Sequence, residues 1–445
     1  MLAGVSALVV GMKRSGIASA ELLAREGATV RATDLKPLDE LPEARELLER
    51  LRIPFSLQTA EVFEGAELIV LSPDVPADLP PIEAARGRGV PVIGEIELAA
   101  PFLKGRNIGI TGTNGKTTTT SLIGHILRES GVPSQVGGNI GTPAAAMIGN
   151  SRDDGWNVLE LSSFQLETIS TFRAHIALAL NVTQNHLDRH HSFANYAAAK
   201  GRIFENQRAE DHAILNAEDP ICVGYAALTA GTVNWFSGCR EVDRGAFLRG
   251  EELILDGQPL MQAAEIPIRG RHNAENVLAA SIAAARTGVA HGAIAAAVRT
   301  FHAVEHRLEF VRNVNGIDFY NDSKATSVDA TLKALDAFPG NVWVILGGKD
   351  KGLNYAPLRS PLAAKARAAL LIGAAAGKIA SQLDSAVPLV QAHTLDAAVA
   401  HAFAHGAPGD TVLLAPACSS FDQFQSFEHR GDVFKQIVNR LGVKE

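Results

Sequence analysis

The chain has 445 residues, 47% hydrophobic and 20% charged, the balance of an ordinary soluble globular protein and unlike a disordered or fibrous chain. A formal net charge of -7 leaves no global basic field, so nucleic acid is not an expected partner. Three widely spaced cysteines without a CxxC pair fit a reducing compartment and no structural zinc, and the apolar opening run precedes its basic residues and is too short for a bilayer. A cytoplasmic protein that enters no membrane is expected.

At about 150 residues per domain the length allows roughly three domains. Val5 to Val10 reads as a buried strand, GMKRSG as a turn, ASAELLAREG as a helix and ATVRATD, ending at Asp34, as a second strand. This is a Rossmann-like opening, but Lys13 stands where a dinucleotide fingerprint has glycine. Lys13 and Arg14 either meet a diphosphate with charge or are solvated cations beside a tight turn. The strands in AELIVLSPDVP and VPVIG complete a first unit, 1–95.

In the central unit, 96–303, NIGITG reads as a strand, GTNGK as a turn and TTTTSLIGHILRESG as a helix, the order a phosphate-binding loop requires. Ile110 departs from the strict GxxxxGK[ST] spacing, yet the mechanics survive. Backbone N–H groups from Gly112 to Gly115 can point into one concavity at a helix N-terminus, Lys116 can reach the β and γ oxygens, and Thr117 can ligate Mg²⁺. Glu160, at the end of the strand NVLELS, offers the carboxylate such a metal needs. Behind the strand HIALALNVT, the segment NVTQNHLDRHHS carries His186, Asp188, His190 and His191; without HExxH it reads as a polar loop with one or two residues near Mg²⁺ rather than as a zinc site. A strand HAILN and helices in NYAAAKGRIFEN and GRHNAENVLAASIAAARTG follow.

From Val304 the strands IDFYND, NVWVILGG, AALLIG and TVLLAPA alternate with alanine-rich helices, so the whole reads as three α/β units in tandem. NDSKAT, LGGKDKG and APACSSFDQF begin at strand ends, where an open α/β sheet binds its ligands.

In chain order, TGTNGKTTTT, GGNIGTP, LELSSFQLE, NVTQNHLDRH, YAAAKGRIFENQ, GRHNAENVLAA, EHRLEF, NDSKAT and APACSSFDQF resemble the motifs of the Mur ligases, the ATP-dependent amino acid ligases of bacterial peptidoglycan synthesis. LELSSFQLE, NDSKAT and SSFDQF are similar to the branch that adds D-glutamate. The resemblance implies a Rossmann-like N-terminal domain for a UDP substrate, a P-loop ATPase-like central domain and a Rossmann-like C-terminal domain, 304–445, for the amino acid. It implies a monomer with two Mg²⁺ sites that uses ATP, UDP-N-acetylmuramoyl-L-alanine and D-glutamate through an acyl phosphate, and so serves cell shape and division. The alternatives are another Mur-type or folate-type amino acid ligase and a noncatalytic nucleotide-binding regulator.

Carried onto this chain, the resemblance implies that Gly112, Thr113, Asn114, Gly115, Lys116, Thr117 and Thr118 hold ATP together with Asn273, Arg307 and Asp322. Lys116, His186 and Lys200 would be catalytic, and Thr117, Glu160, His186 and Lys200, as a carbamate, would hold the metals. Ser15, Gly16, Asp34, Leu35, Ser72, Asn139 and His186 would meet the UDP substrate, and Lys324, Thr326, Lys351, Ser420, Phe421 and Phe427 would meet D-glutamate. Without the resemblance Lys200 reads as a surface helix cation. Asp74 replaces the glycine common after the Ser-Pro pair, and its charge is expected to be offset by Lys13 or Arg14.

Overall fold

Short apolar runs alternating with alanine-rich helices build three sheets in the computed structural model, which describes residues 2–268, 270–302, 305–383 and 386–442, the Asp188 side chain excepted. The expected boundary between 303 and 304 lies outside the described residues. The chain divides into two compact units, Met1–Ala263 with Glu275–Arg299, and Ala264–Ala274 with Thr300–Glu445.

The first unit holds two sheets. One is five-stranded and parallel, in the order Phe55–Leu57, Thr29–Asp34, Ser6–Val10, Leu68–Leu71, Val92–Gly94. Its central strand is apolar on both faces because helices cover both, and Ala7, Leu8, Val9 and Val10 are buried. The other sheet has nine strands among the described residues. Six of them run parallel, ordered Ser134–Gly138, Trp156–Glu160, Arg106–Thr111, Ile176–Ala179, His212–Asn216, Thr232–Ser237. Gly245–Arg249 adds in parallel, and Glu252–Leu255 and Gln258–Gln262 extend the edge as antiparallel hairpins.

That extension was not read from the sequence, although Asp256 and Gly257, with φ of 48° and 77°, form the Asp-Gly turn that signals a tight hairpin. The order of the parallel strands matters for chemistry. Arg106–Thr111 lies between Trp156–Glu160 and Ile176–Ala179, so the glycine loop, Glu160 and Asn181 leave the sheet side by side at its carboxyl edge.

The second unit has a six-stranded sheet among the described residues, ordered Glu309–Val314, Ile317–Asn321, Thr411–Leu414, Val342–Gly347, Ala366–Ile372, Leu389–His393. Only Glu309–Val314 is antiparallel, joined to its neighbour through Asn315 and Gly316, both with positive φ. The three strands Ile317–Asn321, Thr411–Leu414 and Val342–Gly347 are adjacent, so NDSKAT, APACSSF and GKDKG emerge next to one another. Among the described residues no helix is long and apolar enough to cross a membrane.

Candidate active site

The glycine loop is held on every side. Gly115 has φ 83°, and a Cβ there would stand 2.4 Å from Asn276 Oδ1, so glycine is required both for the turn and for the approach of the helix Arg271–Arg286. Asn181 grips the loop twice: its Oδ1 accepts the Asn114 amide at 2.8 Å and its Nδ2 donates to the Asn114 carbonyl at 3.1 Å. The Thr113 hydroxyl lies 3.1 Å from the Tyr196 hydroxyl. Lys116 Nζ donates to the carbonyls of Gly112 at 2.9 Å and Thr113 at 3.0 Å. Thr117 and Thr118 are buried; the hydroxyls of Thr119 and Thr120 meet no partner among the described residues, so these two serve packing.

Thr117 donates to Glu160 Oε2 at 2.7 Å, and Asn139 Nδ2 donates to Glu160 Oε1 at 3.1 Å. A hydroxyl and a carboxylate beside a phosphate loop are hard oxygen donors, and Mg²⁺ binds to one or two such carboxylates with substrate phosphates completing its sphere. The residues present therefore fit magnesium.

Lys200 is 1% exposed, which overturns its reading as a surface cation. Its Nζ donates to the Gly112 carbonyl at 2.8 Å and stands 4.7 Å from the centre of the Tyr196 ring. Burial, and then the charge of Lys116, holds this amine well below the usual lysine range. The neighbouring histidines divide their tasks. His190 is buried between Ser163 Oγ and Glu167 Oε1, each at 2.9 Å, and serves structure. His186 is exposed, in a left-handed conformation with φ 51°, its ring 5.0 Å from Phe164 and 6.4 Å from Tyr196. His191 pairs with Asp78 on the surface.

A cavity of about 430 Å³ opens beside the first turn, lined by Lys13, Arg14, Ser15, Ser72, Asp74 and Asn139 among others. Lys13 Nζ lies 2.6 Å from Asp74 Oδ2, the compensation expected of this pair. Gly16, Asp34, Leu35 and His186 do not line this cavity. Gly16 instead permits the turn, since a Cβ there would lie 1.8 Å from the Gly11 carbonyl oxygen. Asp34 grips the turn by accepting the Met12 amide at 2.6 Å, and Leu35 is exposed.

In the second unit, Asp322 follows its strand with its amide on the Leu414 carbonyl, and burial pushes its carboxyl up to about 7 against the opposing charge of Arg307. Lys324 Nζ stands 4.1 Å from the Phe427 ring centre. Thr326 donates its amide to the Lys324 carbonyl, Ser420 has a buried hydroxyl with no partner among the described residues, and Phe421 and Lys351 are exposed. Lys349 ties two of the loops through its backbone, which exchanges bonds with Ser419. Asn273 is buried at the start of its helix. Sequence reasoning missed Asn181, Tyr196 and Asn276; the only local signal was their position in strand-end and helix motifs around the glycine loop.

The chain matches the MurD-like N-terminal domain of Mur ligases over residues 5–94, the Mur ligase middle domain over 110–284 and the Mur ligase glutamate ligase domain over 306–418. It is 75% identical over 444 residues to a UDP-N-acetylmuramoylalanine–D-glutamate ligase of Solibacter usitatus, covering 100% of both chains. A ligase of the same name from Acidobacterium capsulatum is 51% identical, covering 98% of this chain and 96% of that one. In fold it resembles a UDP-N-acetylmuramate–alanine ligase of Thermotoga maritima, with a TM-score of 0.62 at 20% identity over 98% of this chain and 99% of that one. With its three domains matched in order and its phosphate loop, acidic strand end and buried lysine assembled as described, the chain belongs to the Mur ligase family.

Proposed function

We infer that this chain is an ATP-dependent, amide-bond-forming ligase that adds D-glutamate to UDP-N-acetylmuramoyl-L-alanine in peptidoglycan precursor synthesis. The reaction class rests on one observation above the others: the Lys200 amine buried behind a phosphate loop whose Thr117 meets Glu160. The substrate pair is supported by the 75% identical relative that carries these two substrates in its name.

The chemistry follows from what each group can do. A carboxylate is a poor electrophile because oxide is a poor leaving group. Attack of the acceptor carboxylate on the γ-phosphate of ATP releases ADP and gives an acyl phosphate; the amine of D-glutamate then attacks that carbonyl, loses a proton and expels phosphate. The loop amides from Gly112 to Thr118 cradle the nucleotide, and Lys116 exchanges its two carbonyl partners for the transferring phosphoryl group. Thr117 and Glu160 would hold one Mg²⁺, and His186 with a carbamylated Lys200 a second; bound magnesium supplies charge neutralisation on the phosphates. Carbamylation needs an unprotonated amine, and desolvation of Lys200 favours that form. Ser15, Ser72 and Asn139 face the cavity assigned to the UDP substrate, with Gly16, Asp34 and Leu35 shaping its turn. Asn273, Arg307 and Asp322 are assigned to ATP, and Lys324, Thr326, Lys351, Ser420, Phe421 and Phe427 to D-glutamate.

Domains at 1–95, 96–303 and 304–445, a cytoplasmic location and a monomeric state complete this reading. Phosphate release from ATP, measured for each UDP-muramoyl acceptor against a panel of amino acids, tests it. Release is expected with UDP-N-acetylmuramoyl-L-alanine plus D-glutamate; none with that pair overturns the assignment.

A further inference from the structure

Arg430, in the first turn of the helix Phe427–Arg440, is fully buried, with 0% exposure. Its Nε donates to Ser323 Oγ at 2.9 Å, its Nη2 to the Ser323 carbonyl at 2.8 Å, and both Nη atoms to the Cys418 carbonyl at 3.2 Å. Every one of these acceptors is neutral. Buried arginines are ordinarily paired, because a charge taken out of water without a counter-charge is costly.

The guanidinium stands where three loops converge. Ser323 lies inside NDSKAT, between Asp322 and Lys324, and its hydroxyl donates to the Phe427 carbonyl at 2.8 Å. Cys418 lies two residues before Ser420 in APACSS. From the third loop, Gly348 has φ 137°, and a Cβ on it would sit 3.2 Å from Arg430 Nη1 and 2.2 Å from the Ser419 carbonyl oxygen, so that loop can close over the arginine only as glycine. Burial pulls the guanidinium down to about 10, which leaves it charged at neutral pH.

We propose that Arg430 is a positioning and specificity residue for a dicarboxylic amino acid: its fork locks NDSKAT to APACSS, and its charge, which Asp422 offsets only through space and without a hydrogen bond, selects a substrate that brings a second carboxylate. This rests on the reading that these loops receive D-glutamate. The permanent charge of arginine suits the task, since a lysine so deeply buried would shed its proton.

The test uses the full-length enzyme, saturating ATP and acceptor, and D-glutamate against D-glutamine, the latter assayed as substrate or competitor. R430M should raise the KM for D-glutamate at least about tenfold while KM for ATP and for the acceptor move less than about twofold. It should also narrow the preference for D-glutamate over D-glutamine, an effect that a merely loosened site would not produce. R430K, whose buried amine would shed its proton, loses the fork and the charge together and should weaken D-glutamate and narrow the preference as R430M does. An unchanged KM in R430M, or equal losses for both amino acids, overturns the proposal. If thermal melts show R430M unfolded, R430K decides: a narrowed preference for D-glutamate over D-glutamine supports the charge, a preserved one sinks it. Wild-type enzyme that releases no phosphate with D-glutamate marks failure of the underlying reading instead.

Discussion

Lys200 in the first unit and Arg430 in the second are both cations withdrawn from water, 1% and 0% exposed, and they respond to burial in opposite ways. Lys200 has one short hydrogen bond, to the Gly112 carbonyl, and Lys116 for a charged neighbour, so its proton is held loosely. Arg430 remains protonated and spreads its charge over four hydrogen bonds to two residues. Burial thus brings a lysine toward its unprotonated form while an arginine keeps its charge.

Replacing Lys200 by arginine breaks this contrast most directly. K200R keeps a cation but cannot take up CO₂, and turnover should fall about a hundredfold or more. Wild-type activity should decline in CO₂-depleted buffer and return with bicarbonate, while K200R responds to neither. Turnover of K200R within a few fold of wild type would mean that Lys200 acts only as a cation. Glu160→Gln comes next: loss of one carboxylate charge should lower kcat about ten- to a hundredfold and raise the magnesium concentration for half-maximal rate. Titrating magnesium against phosphate release at saturating substrates measures both.

The phosphate loop was legible because its glycines, lysine and flanking elements are contiguous. Glu160 was legible because a strand end in a parallel sheet faces the ligand edge. The burial of Lys200, which was named only through the resemblance, and of Arg430 was not, for one shared reason: each lies on a helix whose own pattern says nothing about depth. FANYAAAKG has alanine all round, and FEHRGDVF places Arg430 among other charges, so burial is decided by loops distant in sequence, at 112, 323 and 418. The offset of Asp74 by Lys13 or Arg14, by contrast, was expected from two departures from the family pattern, in turns 61 residues apart in sequence.

Glu95 extends the comparison to a buried acid. It is 1% exposed; its Oε1 accepts the Ala145 amide at 2.6 Å, and its Oε2 has no partner among the described residues. Burial pushes its carboxyl up to about 7. For an acid raised in the folded state, the native protein binds the extra proton between the unfolded value of about 4.5 and about 7. Stability from this group is complete below that window and lost as pH rises through it. E95Q keeps an oxygen for the Ala145 amide and removes the charge, so it should be more stable than wild type at pH 8 by roughly 1–3 kcal/mol and nearly equal at pH 4.5. Thermal melts across that range that shift in parallel for the two proteins would contradict this.

The smallest effect is expected where charge is not buried. Lys13 and Asp74 have side chains 71% and 65% exposed, so water screens their 2.6 Å contact and its removal should barely move Tm, by about 1 °C or less. Their effect belongs to binding, because both line the cavity assigned to the UDP substrate. K13A leaves Asp74 unopposed beside an incoming diphosphate, and KM for the acceptor should rise about two- to fivefold and more at low salt. D74G in the K13A background removes the repulsion and should recover most of that loss. Because the pair is exposed, the deficit should shrink as ionic strength rises, whereas a defect in Arg430, shielded from solvent, should persist. An acceptor KM unmoved by K13A at every salt concentration would show that Lys13 does not offset Asp74 at this site.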